Sequence, residues 1–215
     1  MKPEDYITTI KDTCPDFGEK KGQNIFDHLL YSCAVAREKL GDKFHDNLFL
    51  EFGVYTGMTL HWLSRQCNNV IHGFDTFEGL PEDGVGRDGG VVFQKGHFSI
   101  NYTPVDTPIL KFHKGLFQDT LVPFLRENNE KVSVVHIDCD LYSSAKFVLD
   151  NIKDRLVSGS VIILDDFCLY SSYEDFIWKA WVEFTAKNSD IKWKFISSAG
   201  INQVNGWATV SVLIE

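Results

Sequence analysis

Five short apolar runs, each ending at Gly, Val or Asp and separated by stretches of helical periodicity, constrain this chain more than any other feature. They are LFLEFGV, NVIHGFD, ILKFHKG, VSVVHID and SVIILDD. Strands that alternate with helices make βα units, and βα units build a parallel sheet with helices packed on its faces. VSVVHID and SVIILDD are almost continuously apolar rather than alternating, as parallel strands covered on both sides require. Both turn polar at the carboxyl end, the edge at which open α/β sheets bind ligands. Between the strands, MTLHWLSRQ, DTLVPFLREN and SSAKFVLDNIKDRL carry apolar residues at helical spacing, and SGS closes the last of them. Asp119 and Ser143 read as N-caps.

Before the first strand, NIFDHLLYSCAVAREKLG reads as an amphipathic helix ending at Gly41. The tail predicts a helix over SSYEDFIWKAWVEFTAKN and two closing strands, KWKFIS and WATVSVLI. Residues 81–107 are too long for a plain connection and rich in Gly, which suggests a lid or substrate loop; an extra helix with ordinary turns is the competing reading. A length of 215 residues with 44% hydrophobic positions suits one domain over 1–215, with residues 1–45 as an N-terminal helical segment.

The balance of 21 basic against 30 acidic residues argues against nucleic acid and against an anionic membrane surface as partners. No apolar run is long enough to cross a bilayer, and MKPEDYITTIKD lacks a secretory signal, so the expected compartment is the cytoplasm. The five cysteines form no CxxC pair and read as free thiols; Cys139 reads as a small buried filler, not a nucleophile. A homodimer is compatible with the sequence, which leaves the oligomeric state open.

Three constellations carry chemistry. Glu51-Phe52-Gly53-Val54-Tyr55-Thr56-Gly57 closes the first strand and opens a helix, with glycines where a backbone can approach a ligand. Such a turn alone does not separate one nucleotide-like cofactor from another, but Glu51 can accept from the ammonium of a methionine moiety, where a pyrophosphate would prefer backbone donors. The second strand ends in Gly73-Phe74-Asp75-Thr76-Phe77-Glu78-Gly79-Leu80-Pro81, which sets Asp75 about twenty residues past the glycine turn, as ribose hydroxyls require. His136-Ile137-Asp138-Cys139-Asp140 follows the fourth strand and Leu164-Asp165-Asp166 the fifth, so four carboxylates meet at one sheet edge. Like charges that close need a cation among them. An all-oxygen set favours Mg²⁺ or Mn²⁺ over Zn²⁺. The competing reading, that these aspartates cap the following helices, accounts for one of them at most.

These residues resemble the macrocin O-methyltransferase family, metal-dependent class I enzymes that use S-adenosylmethionine to methylate sugar hydroxyls. EFGVYTG, FDTFEGLP, GLFQDTL, HIDCDLYSSAKFVL and GSVIILDDF carry the resemblance, from about Asp46 to Phe167. It implies an α/β, Rossmann-like fold: a mostly parallel seven-stranded sheet with an antiparallel last strand and helices on both faces. By position it implies Asp138, Asp165 and Asp166 as metal ligands. Glu51, Gly53, Tyr55, Gly57, Asp75, Thr76 and Phe77 fall on the cofactor side, with Gly115 and Phe117 at the adenine end. Met58 stands where the family usually has a further glycine, and Cys139 replaces a glycine between two aspartates.

The function expected is therefore methyl transfer from S-adenosylmethionine to a hydroxyl of a small molecule such as a sugar, with Mg²⁺ or Mn²⁺. An in-line displacement needs the hydroxyl aligned and made basic. Asp140 is the first candidate for the base, His136 a weaker one and Asp138 a third. The alternatives are an NAD-dependent oxidoreductase, disfavoured by the lack of GxGxxG after the first strand, and a non-catalytic binding module, disfavoured by the intact acidic cluster.

Overall fold

In a computed structural model that describes residues 2–18, 24–102, 104–203 and 206–215, the five apolar runs are the strands that the sequence predicts. β1 (Leu48–Phe52), β2 (Ile71–Asp75), β5 (Leu110–Lys114), β6 (Val132–Ile137) and β7 (Val161–Cys168) lie side by side and parallel. With β8 (Trp193–Ala199) and β9 (Ala208–Ile214) they form a seven-stranded sheet in the order β5-β2-β1-β6-β7-β9-β8. β9 pairs antiparallel with both β7 and β8, so the last strand of the chain is the antiparallel one.

Helices cover both faces. Strand alternation sends Leu50, Phe52, Val135, Ile137, Ile162 and Leu164 to one side, where they pack with α1 (Pro3–Thr13), α4 (Phe117–Glu127), α5 (Tyr142–Ile152) and α6 (Ile177–Lys187). Phe49, Val134, Val161 and Ile163 point to the other side, against α2 (Asn24–Leu40) and α3 (Met58–Cys67). Every residue of β6 is buried, which is why its sequence does not alternate. No helix among the described residues is long and apolar enough to cross a membrane.

Several local expectations differ from the structure. The N-caps of α4 and α5 are Leu116 and Leu141, neither with a side-chain cap. Asp119 lies instead within the first turn of α4, where its charge still suits the helix dipole, and Ser143 sits inside α5 and donates to Glu82 Oε1 at 2.5 Å. The tail helix starts only at Ile177, because Tyr173–Asp175 forms a 3₁₀ turn first. Residues 81–107 hold no extra helix among those described: a small antiparallel pair, β3 (Gly84–Val85) with β4 (Val91–Phe93), stands there. Thr103 of this segment, and residues 1 and 19–23 of the N-terminal segment, lie outside the described residues.

One buried and one half-buried histidine make the fold sensitive to acid. His28 of α2 accepts or donates at Nε2 to Ser211 Oγ, 2.7 Å away, and His72 of β2 lies 3.1 Å from His113 across to β5. Burial pulls the pKa of each down to about 4; at His72 the neighbouring His113 adds to it. An imidazole whose folded pKa is depressed stabilises the fold above its unfolded value near 6.5, and that contribution is lost as pH falls toward 4. His72→Phe, which keeps an aromatic ring beside Phe124, should therefore gain on the parent in melting temperature steadily between pH 6.5 and 4, with a constant difference above pH 7. Circular dichroism melts of both proteins across that range check it; a difference that does not vary with pH would refute the assignment.

Candidate active site

Register puts the site together. Phe52 pairs with Phe74 on one side and with Ile137 on the other, and Ile137 pairs with Leu164. One step further along each strand brings Gly53, Asp75, Asp138 and Asp165 to the same level. Strand order reverses between β2 and β6 on either side of β1, which opens a crevice at that level. A cavity of about 510 Å³ fills it, lined by Gly53, Tyr55, Asp75, Thr76 and Phe117 and by Asp138, Asp140, Asp165 and Asp166.

The turn after β1 is built by one carboxylate and one glycine. Asp75 Oδ2 accepts from the backbone N–H of Val54 and Tyr55 at 2.7 and 2.8 Å, while Oδ1 accepts from Phe77 N–H at 2.7 Å. Oδ1 keeps acceptor capacity toward the cavity. Gly53 has φ +88°, and a Cβ there would stand 1.6 Å from the Asp138 carbonyl oxygen, so no other residue fits. Gly57 also has a positive φ, +79°, but a Cβ there would make only an ordinary contact, 3.8 Å from Val54 Cγ1.

Not every predicted cofactor residue faces the cavity. Glu51 is fully buried: its Oε1 accepts from Thr59 Oγ1 at 2.5 Å, its Oε2 has no partner, and it faces His136. Gly57 and Phe77 shape the turns behind the cavity wall, and Gly115 borders an adjoining recess with Leu116. Leu116, Phe98, Gly79 and Glu82 line the cavity although no chemical signal singled out Leu116 or Phe98. Phe98 meets Tyr55 edge-on at 5.6 Å, and Leu80 exchanges backbone hydrogen bonds with Gly96 and His97, so the segment after Pro81 returns to the cavity wall at Phe98.

The acidic end is electrostatically loaded. Burial first, and then Asp165, Asp140 and Asp166, hold the Asp138 carboxyl well above the usual carboxylate range. Burial followed by Asp165 and Asp75 pushes Asp140 up to about 7, and burial with Asp165 and Asp140 raises Asp166. Asp165 is held from β9, where Thr209 Oγ1 donates to its Oδ1. None of the four caps a helix through its side chain, which removes the competing structural reading. A ligand atom from each of Asp138, Asp165 and His136 can lie within 4.8 Å of the others; Asp166 does not join that close set among the described residues. His136 is buried, and neither ring nitrogen has a hydrogen-bond partner. Cys139 lies in the cavity wall with its thiol raised far above its ordinary range by burial, which leaves it protonated and inert; all five cysteines are free.

A family described as methyltransferase domain matches residues 50–167. A 4'-O-methyltransferase of Streptomyces olivaceus, named for 8-demethyl-8-(2,3-dimethoxy-α-L-rhamnosyl)-tetracenomycin C, is 29% identical, over 44% of this chain and 41% of that one. The chain thus spans less than half of the length of the curated relative it matches. Among solved structures, the calicheamicin methyltransferase CalS11 is similar with a TM-score of 0.61 at 19% identity, covering 90% of this chain and 80% of that one. The O-methyltransferase NovP follows at 0.56 and 22%, covering 86% and 78%. An O-methyltransferase from Bacillus cereus, in complex with SAH, has a TM-score of 0.54 at 12% identity and covers 88% of this chain and 81% of that one. These last three likenesses are likenesses of fold.

The two glycines of the first turn should respond differently to alanine. Gly57→Ala pays only for a left-handed backbone, about 1–2 kcal/mol. Gly53→Ala adds the collision with Asp138 and should lose clearly more, by forcing β1 and β6 apart. Urea denaturation of both variants checks the order; equal losses would mean that the strands give way freely at this point.

Proposed function

Because the chain belongs to the methyltransferase-domain family, we propose that it is an S-adenosylmethionine-dependent O-methyltransferase acting on a hydroxyl of a small molecule, of the macrocin type and with Mg²⁺ or Mn²⁺ as metal. One observation carries this reading: the register that lines up the glycine turn, Asp75 and the paired aspartates around a single cavity. A sugar hydroxyl is the acceptor that the rhamnosyl-modifying relative suggests.

The residues fit both groups. Gly53 and Gly57 keep the turn low, and Asp75 keeps an acceptor oxygen toward the cavity for ribose hydroxyls, with Phe117 beside it for the adenine. Glu51, being buried, acts on the methionine end through Thr59 and the turn, not by direct contact. Asp138, Asp165 and Asp166 would hold a divalent cation; three of the four carboxylates here, Asp138, Asp140 and Asp166, are raised by burial and mutual repulsion, and a cation relieves both. When bound, such an ion supplies positive charge that makes a neighbouring hydroxyl more acidic.

The protein's own part is alignment and proton removal. S-adenosylmethionine, when bound, would supply the methyl group, and the Asp140 carboxylate would take the proton of the acceptor hydroxyl. Phe98 lines the cavity and makes its segment a cover that would exclude water from the sulfonium. Glu82 and Arg87 hold that cover, the first through Ser143 and the second through Asp175 at 3.2 Å.

Two outcomes are expected. S-adenosylhomocysteine should slow proteolysis within residues 81–107, and equal cleavage with and without it would deny the segment a covering role. Asp165→Asn should abolish metal-dependent methyl transfer to sugar acceptors, read by mass spectrometry, while S-adenosylmethionine affinity by calorimetry stays near that of the parent. Normal turnover by this variant, together with no effect of chelator on the parent, would overturn the metal-dependent mechanism.

A further inference from the structure

We propose that the acceptor is a glycoside bearing a protonated amine, and that Glu82 receives the ammonium while a hydroxyl of the same molecule is methylated. This rests on the sugar O-methyltransferase reading above and adds the charge that the acceptor carries.

The charges of the cavity wall are all of one sign. Asp75, Glu82, Asp138, Asp140, Asp165 and Asp166 line it, and among the described residues no lysine, arginine or histidine does. Five of these carboxylates have tasks in the reaction proposed above: Asp75 in the turn and at the ribose, Asp138, Asp165 and Asp166 at the ion, and Asp140 at the acceptor hydroxyl. Asp140 is 6% exposed, and no group among the described residues donates to its side chain, so the donor it lacks is one that a ligand brings. Glu82 is left over. Its Oε1 accepts from Ser143 Oγ at 2.5 Å, while its Oε2 accepts from nothing among the described residues. Ser143 follows Asp140 by three residues, which holds Glu82 near the carboxylate that takes the hydroxyl proton.

The space beyond Glu82 offers no spare cation. A recess of about 380 Å³ continues from the acidic end of the cavity and shares Glu82 and Ser143 with it. Arg87 in its wall is bound by Glu174 at 2.7 Å and Asp175 at 3.2 Å, and Lys179 lies over the Tyr142 ring at 4.2 Å, in the same wall as Asp175. Lys95 and Lys114 border the other recess, at the adenine end with Gly115, and Lys114 is paired with Glu78. Glu82 is exposed, so water solvates it until an acceptor covers it. A neutral sugar would strip that water without replacing the charge interaction, and an anionic one would add repulsion. An ammonium compensates with a charge-assisted hydrogen bond. A sugar still carrying a nucleotide diphosphate is repelled by the same wall, so glycosyl transfer to the aglycone comes before methylation.

The experiment uses the full chain saturated with S-adenosylhomocysteine and Mg²⁺. Calorimetry measures the binding of methyl glucoside, of its derivatives with an amino group at carbon 2, 3 or 6, and of uridine diphosphoglucose. The best amino glucoside should bind roughly 10-fold more tightly than methyl glucoside, and uridine diphosphoglucose more weakly than either. Glu82→Gln, which keeps the bond from Ser143 and removes only the charge, should abolish the preference for the amine. Raising potassium chloride to about 0.5 M should shrink that preference in the parent. Equal binding of amino and neutral glucosides by the parent, a preference that survives Glu82→Gln, or uridine diphosphoglucose as the tightest ligand would overturn the proposal and leave the sugar reading standing. A parent that binds S-adenosylhomocysteine but none of these sugars would overturn the sugar reading, and this proposal with it. Should Glu82→Gln fail to fold by circular dichroism, the salt dependence of the parent decides, and a preference unchanged by salt would overturn the proposal.

Discussion

The site depends on how closely β1 and β6 approach at Gly53. Neighbouring strands are held apart by their backbone hydrogen bonds, and a closer approach beyond their ends needs a position with no side chain in the way. Here the absence of a Cβ lets the Asp138 carbonyl come within a distance that no other residue permits. The Asp138 N–H donates to the Phe52 carbonyl at 2.8 Å, so the ladder continues one residue past the end of β6. That extra rung sets the spacing between the turn around Gly53 and the acidic shelf, and with it the distance between any cofactor on one and any ion on the other.

The acidic shelf is a place where the protein gives up stability. Asp140 is buried, and Asp138 and Asp166 half-buried, near one another and near Asp165, and an unaided fold would place apolar side chains there. The surrounding core makes the arrangement affordable: β6 is buried along its whole length, and Ile162, Ile163 and Leu164 of β7 are fully buried just before the aspartates begin. Rigid apolar strands thus carry the costly groups to their tips, and the tips inherit the rigidity.

Much of this was legible in the sequence, and for physical reasons. The five parallel strands announce themselves because burial on two faces removes alternation, and the motifs at their ends fall in register because parallel strands of similar length end at similar heights. What stayed hidden depends on tertiary contacts. Leu116 and Leu141 stand at helix starts with no capping chemistry to advertise them. β3 and β4 are two and three residues long, too short for any period to show. Phe98 and Leu116 are ordinary apolar residues that stand out only because the fold brings both to the cavity wall. Glu51 was visible as an acid at a strand end, but the face it occupies, toward Thr59 and His136 and away from the cavity, follows from alternation counted against the buried residues beside it.

The bond from Thr209 to Asp165 sets an order of assembly. Gly53, Asp75, Asp138 and Asp165 all precede α6 in the chain, whereas Thr209 belongs to β9, which is synthesised after α6 and β8 and pairs antiparallel with β7. During synthesis, the cofactor turn can therefore take shape while the ribosome is still making the tail. The acidic shelf cannot be fixed until the tail strand is threaded beside β7. A nascent chain released before β9 would carry the turn around Gly53 and Asp75 but an Asp165 held by nothing, and so would be complete at one end of its site and unformed at the other.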